Sequence, residues 1–311
     1  MEPGHLLSLL DLDRPALDSL MADSVRWKAG KGQPAHGTLR RVATIFDGPA
    51  FRTRLAFDAA LSNLGVHQVP LQVRLGEREP ISDTAAILNG AVDAVVIRTR
   101  DHSAVTELAQ HSEIPVINAM TDAGHPCEVI SEAFTLLERR GDLDGLRVTF
   151  VGEGTNLCRS WCELTTIFDL TVTQVCPPGW ELPAAFLESL RQHGQVERVA
   201  VTHDLDAGAA GADVIYTDGW PRSTREPGPD RDAFMTIQID QTTLDRAGAA
   251  TLLMHCMPVR RGDEVTAAAF DDQRSITLKA KANLGPTHTA IISHVLDQGR
   301  RGAPDDWSPN S

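Results

Sequence analysis

The chain has 311 residues, 42% of them hydrophobic, and a formal net charge of −13. This length is enough for about two domains, each with its own core. The negative charge argues against nucleic acid and anionic membranes as partners, so an anionic substrate would need a local cluster of Arg or His. No apolar run is long enough to span a bilayer, and the N-terminus lacks the basic region of a signal peptide. These features predict a cytoplasmic protein.

The five cysteines predict neither disulfides nor a metal site. Their number is odd and their spacing matches no disulfide scaffold, which fits a reducing cytoplasm. Cys158 and Cys162 lie four apart, but no second Cys/His pair follows nearby, so a zinc site is not expected.

The first half of the chain alternates strand-like and helical segments. Strands are predicted at 41–46, 69–73, 93–98 and 114–118, and helices at 53–65, 83–90, 103–111 and 127–141. A second series of strands is predicted at 146–152, 171–176, 196–201, 213–217, 250–255 and 275–278. Such alternation implies parallel sheets covered by helices on both faces. We therefore expect an α/β fold with two doubly wound domains, divided near Gly141–Gly145.

Two further segments predict irregular structure. The stretch Arg222–Asp232 is charged and broken by Pro227 and Pro229, which predicts a surface loop that could act as a lid. The tail from Arg300 to Ser311 is rich in Pro, Gly, Asp and Ser, which predicts mobility.

Ligands of open α/β sheets bind beyond the carboxyl ends of the strands, so the segments that follow strands are candidates for chemistry. Arg52, Thr53 and Arg54 lie in the first turn of a predicted helix, where unpaired N–H groups and cationic donors suit a phosphate. The alternative is an exposed helix with surface arginines. His125 lies at another helix start and could donate to a substrate carbonyl, although a lone His is more often structural.

The segment Gly152-Glu153-Gly154-Thr155-Asn156 raises the alternative of a dinucleotide site. That motif needs a third glycine and an acid at the end of the next strand. Leu157 occupies the third glycine position and the next strand ends in Cys176-Pro177, so a nicotinamide enzyme is disfavoured.

Two later strands end in Thr217-Asp218-Gly219-Trp220 and His255-Cys256-Met257-Pro258. A Cys beside a His suggests a nucleophile, but neighbouring residues of a strand point to opposite faces. A polarised pocket thiol is therefore favoured over covalent catalysis.

Six motifs follow one another along the chain: R-T-R, an Arg after a strand, HPCE, GEGTN, TDGW and HCMPVRRGDEV. In this order they resemble the motifs of the aspartate/ornithine carbamoyltransferases, nearest the ornithine branch. The resemblance covers nearly the whole chain. It implies two Rossmann-like domains joined by interdomain helices: residues 1–141 for carbamoyl phosphate, with a helix at about 286–300 packing back on them, and residues 142–285 for the amine acceptor. It also implies a homotrimer with active sites between subunits, and no metal or organic cofactor.

The resemblance assigns roles residue by residue. Catalytic roles fall to Arg98, His125, Asp218 and Cys256. Carbamoyl phosphate would contact Ala50, Phe51, Arg52, Thr53, Arg98, His125, Glu128 and Leu284. The acceptor would contact Asn156, Asp218, Arg222, Ser223, Cys256 and Met257. Arg74 would reach the neighbouring subunit's site.

The implied chemistry is attack by a neutral amine on the carbamoyl carbonyl. Negative charge on the carbonyl oxygen would be met by Thr53, Arg98 and His125, and preorganised donors of this kind are typically worth a few kcal/mol each. The leaving phosphate takes the amine proton, so no strong protein base is required.

Four positions depart from the family's pattern. The loop that normally reads S-T-R-T-R begins here with Ala50-Phe51, which removes two hydroxyl donors. The glutamine after His-Pro-x is Glu128, which accepts hydrogen bonds but does not donate them when ionised. The arginine of the last active-site loop is Leu284, and Lys279, Lys281 and Arg74 are the candidates to replace its charge. The ornithine branch follows D-x-W with x-S-M-G, whereas Pro221-Arg222-Ser223-Thr224 stands here.

These departures favour a carbamoyltransferase acting on a non-ornithine amine, such as a short diamino acid, free or peptide-borne, in specialised, antibiotic-type metabolism. The alternatives are a genuine ornithine carbamoyltransferase making citrulline, a paralogue that has lost catalysis and acts as a binding or structural subunit, and a different group transfer on the same scaffold. Fold analogy by itself does not separate them.

Overall fold

The computed structural model describes residues 4–33, 39–194 and 196–300. The described residues form two compact units. The first covers the chain up to Cys127 and from Leu284 onward, and the second is Glu128–Asn283. The predicted mobile tail after residue 300 lies outside the described residues.

The first unit is built on a sheet of four parallel strands in the order β2-β1-β3-β4. The strands are β1 (Arg41–Phe46), β2 (His67–Leu71), β3 (Ala94–Arg98) and β4 (Val116–Met120). Its helices are α1 (Arg14–Lys28), α2 (Phe51–Asn63), α3 (Ile81–Ala91), α4 (His102–His111) and α13 (Leu284–Arg300). Helices α3 and α4 pack with β1 and β3 in one core cluster, while α13 contacts α1 and α2. Strand β1 is buried from Val42 to Phe46, as expected where helices cover both faces of a parallel sheet.

The second unit contains five parallel strands in the order β7-β6-β5-β8-β9. The strands are β5 (Arg147–Val151), β6 (Thr171–Val175), β7 (Val199–Thr202), β8 (Val214–Thr217) and β9 (Leu252–His255). The helices around them are α5 (Pro126–Arg140), α6 (Asn156–Glu163), α7 (Ala184–Gln192), α8 (Leu205–Ala209), α9 (Pro229–Met235), α10 (Gln241–Ala247), α11 (Ala267–Phe270) and α12 (Thr277–Ala282). Two parallel-sheet α/β units confirm the predicted fold class.

The strand order decides where each unit can bind a ligand. In the first unit the order reverses between β1 and β3, and in the second it reverses between β5 and β8. Ligand sites in such sheets lie at the carboxyl ends of the strands on either side of this switch point. The segments after β1, β3, β5 and β8 are the ones that carry the candidate chemistry.

The two compact units divide the chain before Glu128, and the domain boundary near residue 141 stays a prediction. Helix α5 begins at Pro126, and all but its first two residues belong to the second unit. The reason is visible in its polar side chains. Glu132 accepts a hydrogen bond from Tyr216 on β8, and Thr135 accepts one from Asn283.

Two local predictions were wrong. Residues 275–278 do not form a strand. Ser275 makes a single bridge to Leu253, and the helix-favouring residues that follow start α12 at Thr277. Arg222–Asp232 is not an irregular loop, because Arg222–Arg225 form a 3-10 turn and Pro229 begins α9 as a first-turn proline.

No described helix is both long and apolar enough to cross a membrane.

Candidate active site

The turn between β1 and α2 carries the residues that were predicted to bind phosphate. Ala50 is the N-cap of α2 and has left-handed backbone angles, φ 37° and ψ 40°. Its side chain makes no cap hydrogen bond, so the first N–H groups of α2 have no capping side chain as an acceptor. Uncapped N–H groups at a helix start attract an anion. Phe51 is 70% exposed and adds no polar donor from its side chain.

Arg98 and Thr53 meet across the switch point of this sheet. Arg98 ends β3 and pairs in register with Phe46 of β1. Its Nη1 donates to the hydroxyl of Thr53 at 2.6 Å, and Thr53 is only 6% exposed. The structure therefore brings together two of the three residues predicted to stabilise the carbonyl oxygen.

The two arginines of the R-T-R motif differ in their surroundings. Arg54 donates from Nη2 to the carbonyl oxygens of Phe46 at 3.0 Å and Gly48 at 3.3 Å, and its guanidinium lies 5.0 Å from the Phe46 ring. Arg54 therefore stabilises the turn through its backbone carbonyls. Arg52 lies in the first turn of α2 and is half-buried.

Arg74 lies on an exposed loop after β2. It lines an open groove of about 570 Å³ together with Asp47, Gly48, Arg54 and Arg78. The groove adjoins the phosphate turn within the same unit. The contribution of Arg74 to a neighbouring subunit stays a prediction.

His125 follows a hydrogen-bonded turn at the end of β4. Asn118 donates from Nδ2 to the carbonyl of Leu7 at 2.8 Å, and the N–H of Thr121 donates to Gly124 at 2.9 Å. The thiol of Cys127 donates to the carbonyl of Asn118 at 3.4 Å. These contacts fix the start of α5 and leave His125 only 4% exposed. Sequence reasoning missed Asn118 and Thr121, although polar residues at the end of a buried strand were a usable signal.

Leu284, predicted at the position of an arginine, is the first residue of α13 and is 5% exposed. Its apolar side chain offers no hydrogen-bond donor, so the predicted contact of Leu284 with carbamoyl phosphate would not be a side-chain hydrogen bond.

In the second unit, the Gly-rich loop after β5 is shaped by close packing. A Cβ atom on Gly154 would come within 2.7 Å of the backbone of Leu182, so only glycine fits there. Thr155 caps α6 by accepting from the N–H of Cys158 at 3.4 Å, and Asn156 accepts from the N–H of Leu157 at 2.9 Å. Asn156 therefore stands at the start of α6, beside the switch point.

Asp218 and Cys256 leave neighbouring strands at the same level. Thr217 of β8 pairs in register with His255 of β9, so the next residues emerge side by side. Burial raises the pKa of Asp218, while His255 and Lys281 act to lower it. Burial, followed by Asp218 and Glu128, raises the pKa of the Cys256 thiol well above its usual range. A thiol that resists ionisation is a poor nucleophile, which supports the pocket-thiol interpretation.

His255 organises the loop after β9. Its Nδ1 accepts from the N–H of Met257 at 2.7 Å, so Nε2 carries the ring proton and donates to Glu264 at 2.9 Å. The same Glu264 oxygen accepts from the N–H of Arg260 at 2.6 Å. Both side chains are fully buried. Because both ring nitrogens of His255 are engaged, this residue does not serve Cys256 as a base.

A buried charge network interacts with Asp218 and Cys256, and sequence reasoning missed the pairing of its members. Lys281 forms ion pairs with Glu128 and, at 3.0 Å, with Glu132, and Tyr216 donates to Glu132 at 2.8 Å. Burial raises the pKa of Glu132, Lys281 lowers it and Glu128 raises it, and the net result is a pKa of about 7. The signal in the sequence was the i,i+4 spacing of Glu128 and Glu132, which places them on one face of α5.

Arg222 and Ser223 lie exposed in the 3-10 turn, and Met257 is half-buried with φ 68°. Arg231 ties this turn to the loop after β9 by donating to the carbonyl of Thr224 at 3.0 Å and to Asp263 at 2.8 Å. The described residues contain no group of three or more His, Cys, Asp or Glu placed to hold a metal ion.

Comparison with known proteins identifies the family. The model of the carbamoyl-phosphate-binding domain of aspartate/ornithine carbamoyltransferases matches residues 4–138, and the model of their Asp/Orn-binding domain matches residues 144–295. The ornithine carbamoyltransferase of Acidothermus cellulolyticus is 35% identical over 310 residues, covering 96% of this chain and 99% of that protein. The enzyme of Agrobacterium fabrum is 36% identical over 303 residues, covering 94% and 98%.

Solved structures agree with this assignment. The ornithine carbamoyltransferase of Pyrococcus furiosus superimposes with a TM-score of 0.88 at 29% identity, covering 95% of this chain and 97% of that one. The enzyme of Gloeobacter violaceus gives a TM-score of 0.83 at 29% identity, covering 94% and 98%. The chain belongs to the aspartate/ornithine carbamoyltransferase family of transferases.

Proposed function

We propose that the protein transfers the carbamoyl group of carbamoyl phosphate to the side-chain amine of ornithine, giving citrulline and inorganic phosphate. The observation that carries the proposal is the Arg98–Thr53 pair beside the uncapped start of α2, in the unit matched by the carbamoyl-phosphate-binding model. The names of the related proteins favour ornithine over the specialised acceptor expected from the departures in sequence.

The phosphate binds the uncapped N–H groups of α2 and the guanidinium of Arg52. The carbonyl oxygen receives hydrogen bonds from Thr53, Arg98 and His125. The hydrogen bond that Arg98 already makes to Thr53 holds both donors in place before substrate arrives, which is the condition under which such donors lower a barrier most.

Transfer begins when the neutral amine attacks the carbamoyl carbon. A C–N bond forms, negative charge collects on the carbonyl oxygen, and the bond from carbon to the phosphate oxygen breaks. The leaving phosphate accepts the proton released by the amine. Asp218 binds the acceptor near its nitrogen, Asn156 binds its other end, and Cys256 lines the site as a neutral thiol, consistent with its raised pKa.

A second acceptor is favoured by one observation. After Trp220 the chain enters the exposed 3-10 turn Arg222–Arg225, where the ornithine branch has x-S-M-G. A shorter diamino acid, free or carried on a peptide, fits a site in which that motif is replaced.

The deciding experiment incubates the purified protein with carbamoyl phosphate and one amine at a time: ornithine, 2,4-diaminobutyrate, 2,3-diaminopropionate, lysine or aspartate. Phosphate release and the mass of the ureido product are measured. We expect the highest kcat/KM with ornithine. A higher value with a shorter diamino acid would select the second acceptor. No turnover with any amine, together with no carbamoyl phosphate binding by calorimetry, would leave the binding paralogue.

The assembly we propose is a homotrimer in which Arg74 serves the neighbouring subunit's site. Its exposed position beside the phosphate turn supports this role. Light scattering gives the oligomeric state. Mixing inactive Arg74→Ala and inactive Arg98→Ala proteins under exchange conditions should restore part of the activity, because some sites then receive both wild-type residues. No restoration would contradict a shared site.

A further inference from the structure

Two carboxylates and one ammonium group lie together in the second unit. Lys281 of α12 pairs with Glu128 and Glu132, which lie one turn apart on α5. The side chain of Lys281 is 11% exposed, that of Glu128 8% and that of Glu132 1%. Buried like charges repel strongly and are tolerated when an opposite charge lies between them. The ammonium group of Lys281 meets this need for the two carboxylates of α5.

The network extends to the residues at the ends of β8 and β9. Cys256 feels the charges of Glu128, Glu132 and Lys281 as well as that of Asp218. Tyr216, the partner of Glu132, lies on β8 two residues before Asp218. The ion pairs therefore lie at the carboxyl ends of these strands, where open sheets bind their ligands.

Four charged or titratable side chains from different elements face Asp218. His255 on β9 and Lys281 on α12 favour its ionised form, while Glu264 in the loop after β9 opposes it. Glu153 in the loop after β5 also interacts with Asp218, because the pKa of Glu153 is raised by burial and then by Asp218. Lys281 is the aliphatic ammonium among them.

We propose that Lys281 is a positioning residue of the acceptor site. By bridging Glu128 and Glu132 it offsets their charge and keeps Asp218 ionised as the carboxylate that binds the acceptor's nitrogen. The proposal rests on the proposed function and deepens it. It also explains how the chain accommodates Glu128, because the carboxylate that replaces the family's glutamine is paired with the ammonium group of Lys281.

The test compares Lys281→Met with Lys31→Met. Lys31 is exposed after α1 in the first unit, so its replacement removes the same charge without touching the network. The rate constant kcat/KM for the acceptor is measured from pH 5 to pH 9 at saturating carbamoyl phosphate. Loss of Lys281 should raise the acid limb of the profile by about one pH unit and raise the acceptor KM more than it lowers kcat. Lys31→Met should match the wild type.

Glu128→Gln should shift the acid limb of the pH profile in the opposite direction. It also provides a test if Lys281→Met does not fold. Removing one carboxylate leaves Lys281 less neutralised, so the acid limb should move to lower pH. The double variant Glu128→Gln/Lys281→Met should return most of the way to the wild-type profile. If the acid limb of Glu128→Gln, or of a folded Lys281→Met, lies at the same pH as that of the wild type, the proposal is overturned.

A second measurement does not depend on turnover. Carboxyl carbon NMR, with Asp218→Asn for assignment, follows the titration of Asp218 directly. We expect Asp218 to titrate at higher pH in Lys281→Met and at lower pH in Glu128→Gln. If the wild type turns over no amine, the proposed function fails, while the titration still decides whether Lys281 controls Asp218. An unchanged titration overturns that control.

Discussion

The two candidate half-sites stabilise charge by different means. In the first unit, the phosphate turn uses an uncapped helix start with a strained Ala50 and a hydrogen bond between Arg98 and Thr53. In the second, the ends of β8 and β9 rest on buried polar pairs, namely the His255–Glu264 hydrogen bond and the ion pairs of Lys281. The first is therefore expected to be sensitive to the loss of single donors, and the second to pH and to any unbalanced charge.

The largest effect is expected from Arg98→Ala. It removes a preorganised donor and leaves Thr53 without its partner, so kcat/KM should fall about a thousandfold. Steady-state phosphate release measures this. The control is Arg100→Ala, since Arg100 is exposed two residues further along the chain. A fall of less than tenfold in Arg98→Ala would show that the carbonyl oxygen is stabilised elsewhere.

His255→Phe tests the buried pair of the second unit. It leaves the Glu264 carboxylate buried without its ring donor, so the free energy of unfolding should fall by about 3 kcal/mol. Urea denaturation measures the loss, with exposed His193→Phe as the control. An unfolding free energy within about 0.5 kcal/mol of the wild type would mean that the loop after β9 does not depend on this pair.

Glu132 predicts a pH dependence of stability. Its folded pKa of about 7 lies above the ordinary 4.5, so between these values the folded state holds the additional proton. The free energy of unfolding should therefore fall as the pH rises from about 5 to 8, by on the order of 2 kcal/mol. Glu132→Gln should flatten this slope and exposed Glu188→Gln should not. Equal slopes in wild type and Glu132→Gln would contradict the assignment.

The smallest effect is expected at Ala50. Relief of its left-handed strain is worth about 1 kcal/mol and exceeds the added backbone entropy of glycine, so Ala50→Gly should stabilise by about 0.5 kcal/mol. Ala59→Gly, at an exposed position inside α2, should instead destabilise by about 1 kcal/mol. Thermal unfolding distinguishes stabilisation from destabilisation. If both changes destabilise the protein, the backbone at Ala50 is not strained.

Strand positions were well predicted because buried parallel strands are short apolar runs with turn residues on either side. The strand predicted at 41–46 matches β1, and that at 171–176 exceeds β6 by one residue. Helix α1 was missed, although Asp13 caps it and Pro15 lies in its first turn. The strand predicted at 275–278 was wrong because a short apolar run has no period that separates strand from helix.

The sequence by itself determined the family and the order of the chemistry-bearing segments, since each motif is local and follows a strand. It also named Arg98, Thr53, Asp218 and Cys256, whose roles stay predictions. Only the tertiary structure decided the partners. Arg54 braces a turn and His255 bonds with Met257 and Glu264, and these partners lie within nine positions of sequence. Lys281 pairs with Glu128 across 153 positions. A charge is read from sequence, but its neighbours, and hence its ionisation, are set by the fold.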